Sequence, residues 1–170
     1  MNGPTMDQPT ANLAVTFRPV NEEDKNFLLE LYASTRAEEM AMVPWSAEQQ
    51  HAFISMQYSA QQDHYRIKYP DASHDIILAG GRPVGHLHVA RLEKEIRIVD
   101  VTILPGERNA GFGSVSLKGL LDEAGRSRSP VTIYVEEFNP SLKLFERLGF
   151  TQLDQHGIHL LMQWSPAPTG

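Results

Sequence analysis

Pro105-Gly106-Glu107-Arg108-Asn109-Ala110-Gly111-Phe112-Gly113-Ser114 is a glycine-containing turn between a β-rich apolar run and an amphipathic helix. Upstream, Ile96, Ile98, Val99, Val101, Ile103 and Leu104 read as a strand that Pro105 must stop, because proline cannot donate to a sheet ladder. Downstream, Val115, Leu117, Leu120, Leu121 and Ala124 recur at three- and four-residue intervals up to Gly125, the pattern of one buried helix face closed by a C-cap glycine. The helix is therefore expected to start near Gly111. Its first amides have no partner within the helix and point back into the turn, where Gly111 and Gly113 let a ligand approach the backbone. The helix dipole and Arg108 at the rim favour an anion there, pyrophosphate first among them. By itself a Gly-x-Gly before a helix also serves purely conformational ends. The third glycine of the dinucleotide fingerprint and the Gly-Lys-Ser/Thr of the P-loop are both missing.

Working outward, Leu13 to Arg18 alternates apolar and polar residues and ends at Pro19, as a first strand does. Asn21 is a plausible N-cap for a helix with Phe27, Leu28, Leu31 and Tyr32 on one face, expected to run to about Glu38. Ser46 and Gln49 form a capping-box pattern for a second helix reaching past Asp63. His74 to Ala79 and Val84 to Leu92 flank Gly80-Gly81-Arg82 as a hairpin, and Glu93-Lys94 turns into the strand that ends at Pro105. Val131 to Val135 is a further strand, Pro140 to Leu148 a short helix ended by Gly149, and Phe150 to Leu153 with Ile158 to Trp164 a closing pair. Residues 1–12 and 165–170 read as loose tails around a single domain at 13–164.

The 170 residues carry a formal charge of -6, which argues against nonspecific nucleic-acid binding. No apolar run approaches the ~20 residues of a membrane span and the start lacks the order of a signal peptide, so a cytoplasmic location is expected. The absence of cysteine excludes thiolate zinc sites and an enzyme-cysteine nucleophile. His86-x-His88 places two imidazoles on one strand face, where half-exposed strand residues are the expectation and no metal site is assigned.

The order of elements, with Arg108-Asn109-Ala110-Gly111-Phe112-Gly113 between the fourth strand and the third helix, resembles the GCN5-related N-acetyltransferase (GNAT) family and its Arg/Gln-x-x-Gly-x-Gly/Ala signature. Asn139-Pro140-Ser141-Leu142-Lys143-Leu144-Phe145-Glu146-Arg147-Leu148-Gly149-Phe150 looks like a second family segment, which lines the coenzyme A channel. The resemblance implies an α/β (α+β) acyl-CoA N-acyltransferase fold: a mixed, mostly antiparallel sheet with splayed fourth and fifth strands and about four flanking helices. It further implies acetyl-CoA as donor and an amine acceptor. The pyrophosphate would lie on the backbone of Arg108, Asn109, Ala110, Gly111, Phe112, Gly113 and Ser114, and the pantetheine beside Thr102 and Ile103, with Asn139 and Phe145 opposite. Many family members are dimers, so the resemblance also admits a homodimer.

Acetyl transfer to an amine needs a neutral nitrogen, and an alkyl ammonium has a pKa near ~10, so a base or a water chain must take its proton. Glu136 and Asp100 fall at the expected splay, where burial would raise a carboxylate's pKa; His86 and His88 are further candidates, and an ordinary salt-bridging role is open to each carboxylate. Phe145 stands where many family members have the tyrosine that protonates the leaving thiolate, which leaves water or a hydroxyl such as that of Tyr134. The resemblance puts the acceptor against Glu38 to Trp45, with Glu38 and Glu39 holding a cation beside Trp45, although two glutamates at a helix end are more often a solvated terminus. The expected activity is direct N-acetyl transfer in a ternary complex; an acyl-CoA sensor or an interaction domain without transferase activity is the alternative.

Overall fold

The computed structural model describes residues 14–168. The expected tail at 1–12, Leu13 and the last two residues lie outside the described residues. In chain order the elements are β1 (Val15–Pro19), a 3-10 turn (Glu22–Asp24), α1 (Lys25–Thr35), α2 (Ala37–Ala41), α3 (Ala47–Lys68), β2 (Ser73–Ala79), β3 (Arg82–Arg91), β4 (Ile96–Ile103), a 3-10 turn (Pro105–Glu107), α4 (Phe112–Ser127), β5 (Val131–Glu136), α5 (Leu142–Arg147), β6 (Thr151–His156) and β7 (His159–Trp164). The strands make one seven-stranded sheet in the order β1-β2-β3-β4-β5-β7-β6, antiparallel throughout except between β4 and β5. That parallel pair joins only Ile96 to Val131, Arg97 to Thr132 and Ile98 to Ile133, while β4 continues to Ile103 and β5 to Glu136. Beyond Ile98 the two strands part, and this is the expected splay.

Side-chain alternation gives the sheet two apolar faces. On one, Leu87, Val89, Ile96, Ile98, Val131 and Ile133 pack with Phe112, Leu117, Leu120 and Ala124 of α4 and Phe145 of α5. On the other, Ile76 packs with Leu28 and Leu31 of α1 and with Tyr58 of α3. Among the described residues no helix is long and apolar enough to cross a membrane.

Two helix boundaries differ from expectation. The first helix stops at Thr35 instead of running to Glu38, which makes five helices among the described residues. Ser34 and Thr35 hydroxyls bond back to the carbonyls of Leu31 and Tyr32, both at 2.6 Å, competing with the helical ladder just before the break at Arg36. Gly125 is not the cap of α4: the helix passes it and closes at Arg128, whose left-handed conformation lets Ser129 N donate to Ala124 O at 2.9 Å. The Ser46 cap forms as expected, as a reciprocal box, whereas the box at Asn21 caps the 3-10 turn that leads into α1 and not α1 itself.

Asp24 anchors the turn between β1 and α1, accepting two bonds of 2.8 Å from Arg18 and one of 2.9 Å from Asn21 N. The Arg18 hydrogen bonds, opposed by burial, hold its carboxyl at about 2 instead of 3.8. Because the folded value lies below the unfolded one, this stabilisation is present above about pH 4 and is lost as pH falls through 4 toward 2. Thermal melts across that window are expected to show a falling midpoint, and Asp24→Asn should flatten the fall while lowering the midpoint at neutral pH.

Candidate active site

The turn before α4 is held in place by a salt bridge from Arg82 to Glu107, 2.8 Å long. Asn109 and Gly111 take left-handed conformations, φ 66° and 86°, which bring the chain over the start of α4. The first bond into the helix runs from Val115 N to Gly111 O at 3.0 Å. The amides of Phe112, Gly113 and Ser114 have no acceptor among the described residues and stand together at the helix N-terminus. Arg108 is exposed at the rim, and its Nε donates to Ile103 O at 3.1 Å. Phe112 turns into the core, and the missing Cβ of Gly113 makes room for Leu144, whose Cδ2 would lie 3.0 Å away from it.

The open edge of β4 faces the splay. Leu104 N donates to Val84 O at 2.8 Å, so the alternation of an antiparallel ladder commits the backbone of Thr102 to His86 and turns that of Val101 and Ile103 away from β3. Of the two residues expected to pair with pantetheine, Ile103 therefore turns its N–H to the open edge, its carbonyl being engaged by Arg108 Nε, while the backbone of Thr102 is paired with β3. Gly85 lies opposite Ile103, and a Cβ there would run into the Thr102 carbonyl and approach Ile103 Cδ1 to 2.8 Å. Asn139 is bound up in the turn before α5: its Oδ1 accepts from Ser141 N at 2.9 Å. Phe145 is fully buried edge-on against Phe150, with centroids 5.2 Å apart, so it packs beneath the cleft and presents nothing to it.

Asp100 reaches its place through a bulge. His88 pairs with Asp100 while the next residue, Val89, pairs with Ile98, leaving Val99 as an extra residue. Without it, Asp100 would follow Ile98 onto the face of α4; with it, the carboxylate joins His86 and His88 on the face of α3. Asp100 Oδ2 meets His86 Nε2 at 3.0 Å, and His86 Nδ1 meets His74 Nε2 at 2.8 Å. His74 stacks on His88 at 4.4 Å and 10°, and Tyr65 closes edge-on over His88 at 5.6 Å. Burial opposes ionisation of Asp100, but the His86 charge and hydrogen bond, with His88 and His74 behind, outweigh it and hold the carboxyl below its ordinary value. The expected upward shift is thus reversed. Burial together with the neighbouring imidazoles lowers His74 to about 3 and His88 to about 4. His86 and His88, expected as half-exposed, are both buried.

Glu136 ends β5 beside Arg36, at 3.5 Å, and His159, at 3.9 Å. Arg36 also reaches Glu39 at 3.1 Å and lies 5.5 Å from the Tyr32 ring centroid. The cation that Glu39 holds is therefore the protein's own. Glu38 is exposed, and Trp45 packs edge-on against Phe53 at 5.1 Å. Tyr134, the first residue of β5 past the last β4 pair, is partly exposed with the Arg97 guanidinium 4.9 Å from its ring centroid.

Sequence reading does not find Arg36, His74 or Gly85. Arg36 acts across 100 residues, His74 through a strand register, and Gly85 through the approach of a neighbouring backbone, and none of these leaves a local signature.

The model of the acetyltransferase (GNAT) family matches residues 28–150. No curated protein matches the sequence. Among solved structures, PaiA N-acetyltransferase from Thermoplasma acidophilum, in complex with coenzyme A, is similar with a TM-score of 0.67 at 16% identity, over 90% of this chain and 99% of that one. The ribosomal-protein-S18-alanine N-acetyltransferase from Escherichia coli gives a TM-score of 0.61 at 15% identity, over 92% and 97%. An acetyltransferase from Thermus thermophilus gives 0.62 at 17%, over 90% and 97%. Likeness at such low identity speaks for the fold, and the family model carries the assignment: the chain belongs to the GNAT family of acetyltransferases.

Proposed function

We propose that the chain transfers an acetyl group from acetyl-CoA to a primary amine of a small molecule or peptide, by direct attack in a ternary complex. The observation that carries this reading is the group of unpaired amides at Phe112, Gly113 and Ser114 beside the open β4 edge. The amides suit a pyrophosphate, and the outward backbone of Val101 and Ile103 suits an amide-bearing arm laid down as an added strand. The amine nitrogen attacks the thioester carbonyl, the C–N bond forms and the C–S bond breaks. The ammonium proton leaves to water or to a cleft carboxylate, Asp100 or Glu136. Phe145 has no proton for the thiolate, and in this reading the exposed Tyr134, on β5 just past the last β4 pair, is the side chain that supplies one.

Calorimetry with acetyl-CoA and a free-thiol assay over a panel of primary amines test this together. Binding with thiol release on at least one amine is expected. Binding without release on any amine would favour an acyl-CoA sensor, the reading to which Phe145 lends weight, and absence of binding would overturn the coenzyme site itself. Tyr134→Phe should lower turnover about tenfold or more while leaving acetyl-CoA affinity unchanged, within the range general acid catalysis contributes.

A further inference from the structure

Gly125 is neither the cap of α4 nor a packing contact: the helix closes at Arg128, and a Cβ on Gly125 would meet nothing within 4 Å. A glycine inside a helix costs about 1 kcal/mol against alanine, so its presence calls for another reason. Gly125 lies on the wall of a hollow of about 520 Å³, between the last turns of α4 and the chain that follows β7. That volume falls in the range of small-ligand sites. The hollow stands apart from the unpaired amides at the start of α4, since Leu121 to Arg126 lie about 12–20 Å further along the helix axis at about 1.5 Å per residue.

Its lining combines apolar and charged side chains. Leu121 and Gly125, one turn apart on α4, share it with Trp164 and Pro166. Trp164 is half-buried and held on two sides: its backbone pairs with Val131 at the start of β5, and a Cβ on Gly149 would lie 3.5 Å from its indole Cδ1. Asp122 and Arg126, both exposed, also line the hollow, one turn apart and about 5–6 Å between Cβ atoms. That spacing suits a helix ion pair, yet none forms between them, and neither has a salt-bridge partner among the described residues. Glu123, on which Arg126 acts, is held by Arg91 at 2.6 Å. One anionic and one cationic group thus stand next to each other beside an indole, each open to a ligand. A molecule that carries both opposite charges close together, with an aromatic ring attached, answers all three.

We propose that this hollow binds a free aromatic α-amino acid as its zwitterion, with the ammonium on Asp122, the carboxylate on Arg126 and the ring against Trp164 across Gly125. The ring and the indole supply apolar contact and the two charged groups set the orientation. A plain amine or a plain carboxylate satisfies one of the two groups, leaves the other, and binds less well. The site is separate from the coenzyme turn and does not rest on the transferase reading.

The probe is L-phenylalanine, titrated into the full-length protein without coenzyme and followed by the indole N–H resonances in NMR. The chain has two tryptophans, Trp164 in the hollow and Trp45 against Phe53 before α3, so each resonance reports one place. Trp164 should shift saturably and Trp45 should stay. 3-Phenylpropionate, phenethylamine and L-serine lack the ammonium, the carboxylate and the ring in turn, and each should bind at least about tenfold more weakly. Asp122→Asn and Arg126→Gln should each weaken L-phenylalanine by a similar factor. Gly125→Leu fills the hollow from a helical position with open space, so it should abolish binding while raising the melting point by about 2–4 °C. A general loss of structure cannot give those opposite movements. A Trp164 resonance unmoved by L-phenylalanine would overturn the proposal. So would equal affinity in the parent and Gly125→Leu, or equal binding of 3-phenylpropionate and L-phenylalanine. A shift at Trp45 alone would put the amino acid elsewhere and overturn it as well.

Discussion

Gly111→Val is expected to reduce acetyl-CoA affinity at least about a hundredfold, a loss of about 2.7 kcal/mol. Two effects act together. Gly111 has φ 86°, a conformation that costs a residue with a Cβ about 1–2 kcal/mol and a β-branched one more. In the proposed coenzyme site, the new side chain would also add bulk beside the unpaired amides of Phe112, Gly113 and Ser114, to which the pyrophosphate is proposed to bind. Strain alone would appear as a melting point lower by several degrees with affinity nearly intact, since a few kcal/mol leaves most domains folded. Calorimetry and a thermal melt on the same sample separate the two, and unchanged affinity would remove the pyrophosphate from this turn. Arg108→Gln should weaken binding far less and in a salt-dependent way, because the guanidinium is tied to Ile103 O and its charge is screened.

The contrast between Gly111 and Asp100 shows which parts of the site a sequence can display. Gly111 is legible because its neighbours in sequence are its neighbours in space: a strand, a proline stop and a helix face frame it within one short stretch. The capping boxes at Asn21 and Ser46, the hairpin around Gly80-Gly81 and the closing strand pair are local in the same way. Asp100 is legible as a residue type on the right strand, but its orientation depends on the extra residue Val99 and its ionisation on His86 and His74. His74 arrives from another strand, through the register that sets it opposite His88. The acceptor wall is no more local. Glu38 and Glu39 read as partners for a substrate cation, yet the helix break at Arg36 sends that guanidinium to Glu39 and, across the mouth of the site, to Glu136, so part of the place is already filled. Periodicity reports which face a residue takes relative to its own element; it does not report bulges, register or charges supplied from distant parts of the chain.

Gly85→Ala tests the strand edge as Gly111→Val tests the turn. Gly85 pairs with Ile103, and a methyl group on it would collide with the carbonyl of Thr102 and crowd Ile103 Cδ1 at 2.8 Å. The first of these neighbours is backbone, so the strain cannot be relieved by turning a side chain; β3 and β4 must move apart. Overpacking of this kind costs about 1–3 kcal/mol, or a melting point lower by roughly 2–12 °C in a chain of this size. The displaced segment is the one whose outward backbone, at Val101 and Ile103, is assigned to the pantetheine arm, so acetyl-CoA affinity should fall about tenfold or more alongside stability. Gly119→Ala is the control: it lies in α4 with open space around the added Cβ, and alanine in a helix interior should leave affinity unchanged and raise stability slightly. A Gly85→Ala protein that melts lower yet binds acetyl-CoA as tightly as the parent would show that the coenzyme does not use the β4 edge, and would leave the amides at the start of α4 as its sole backbone contact.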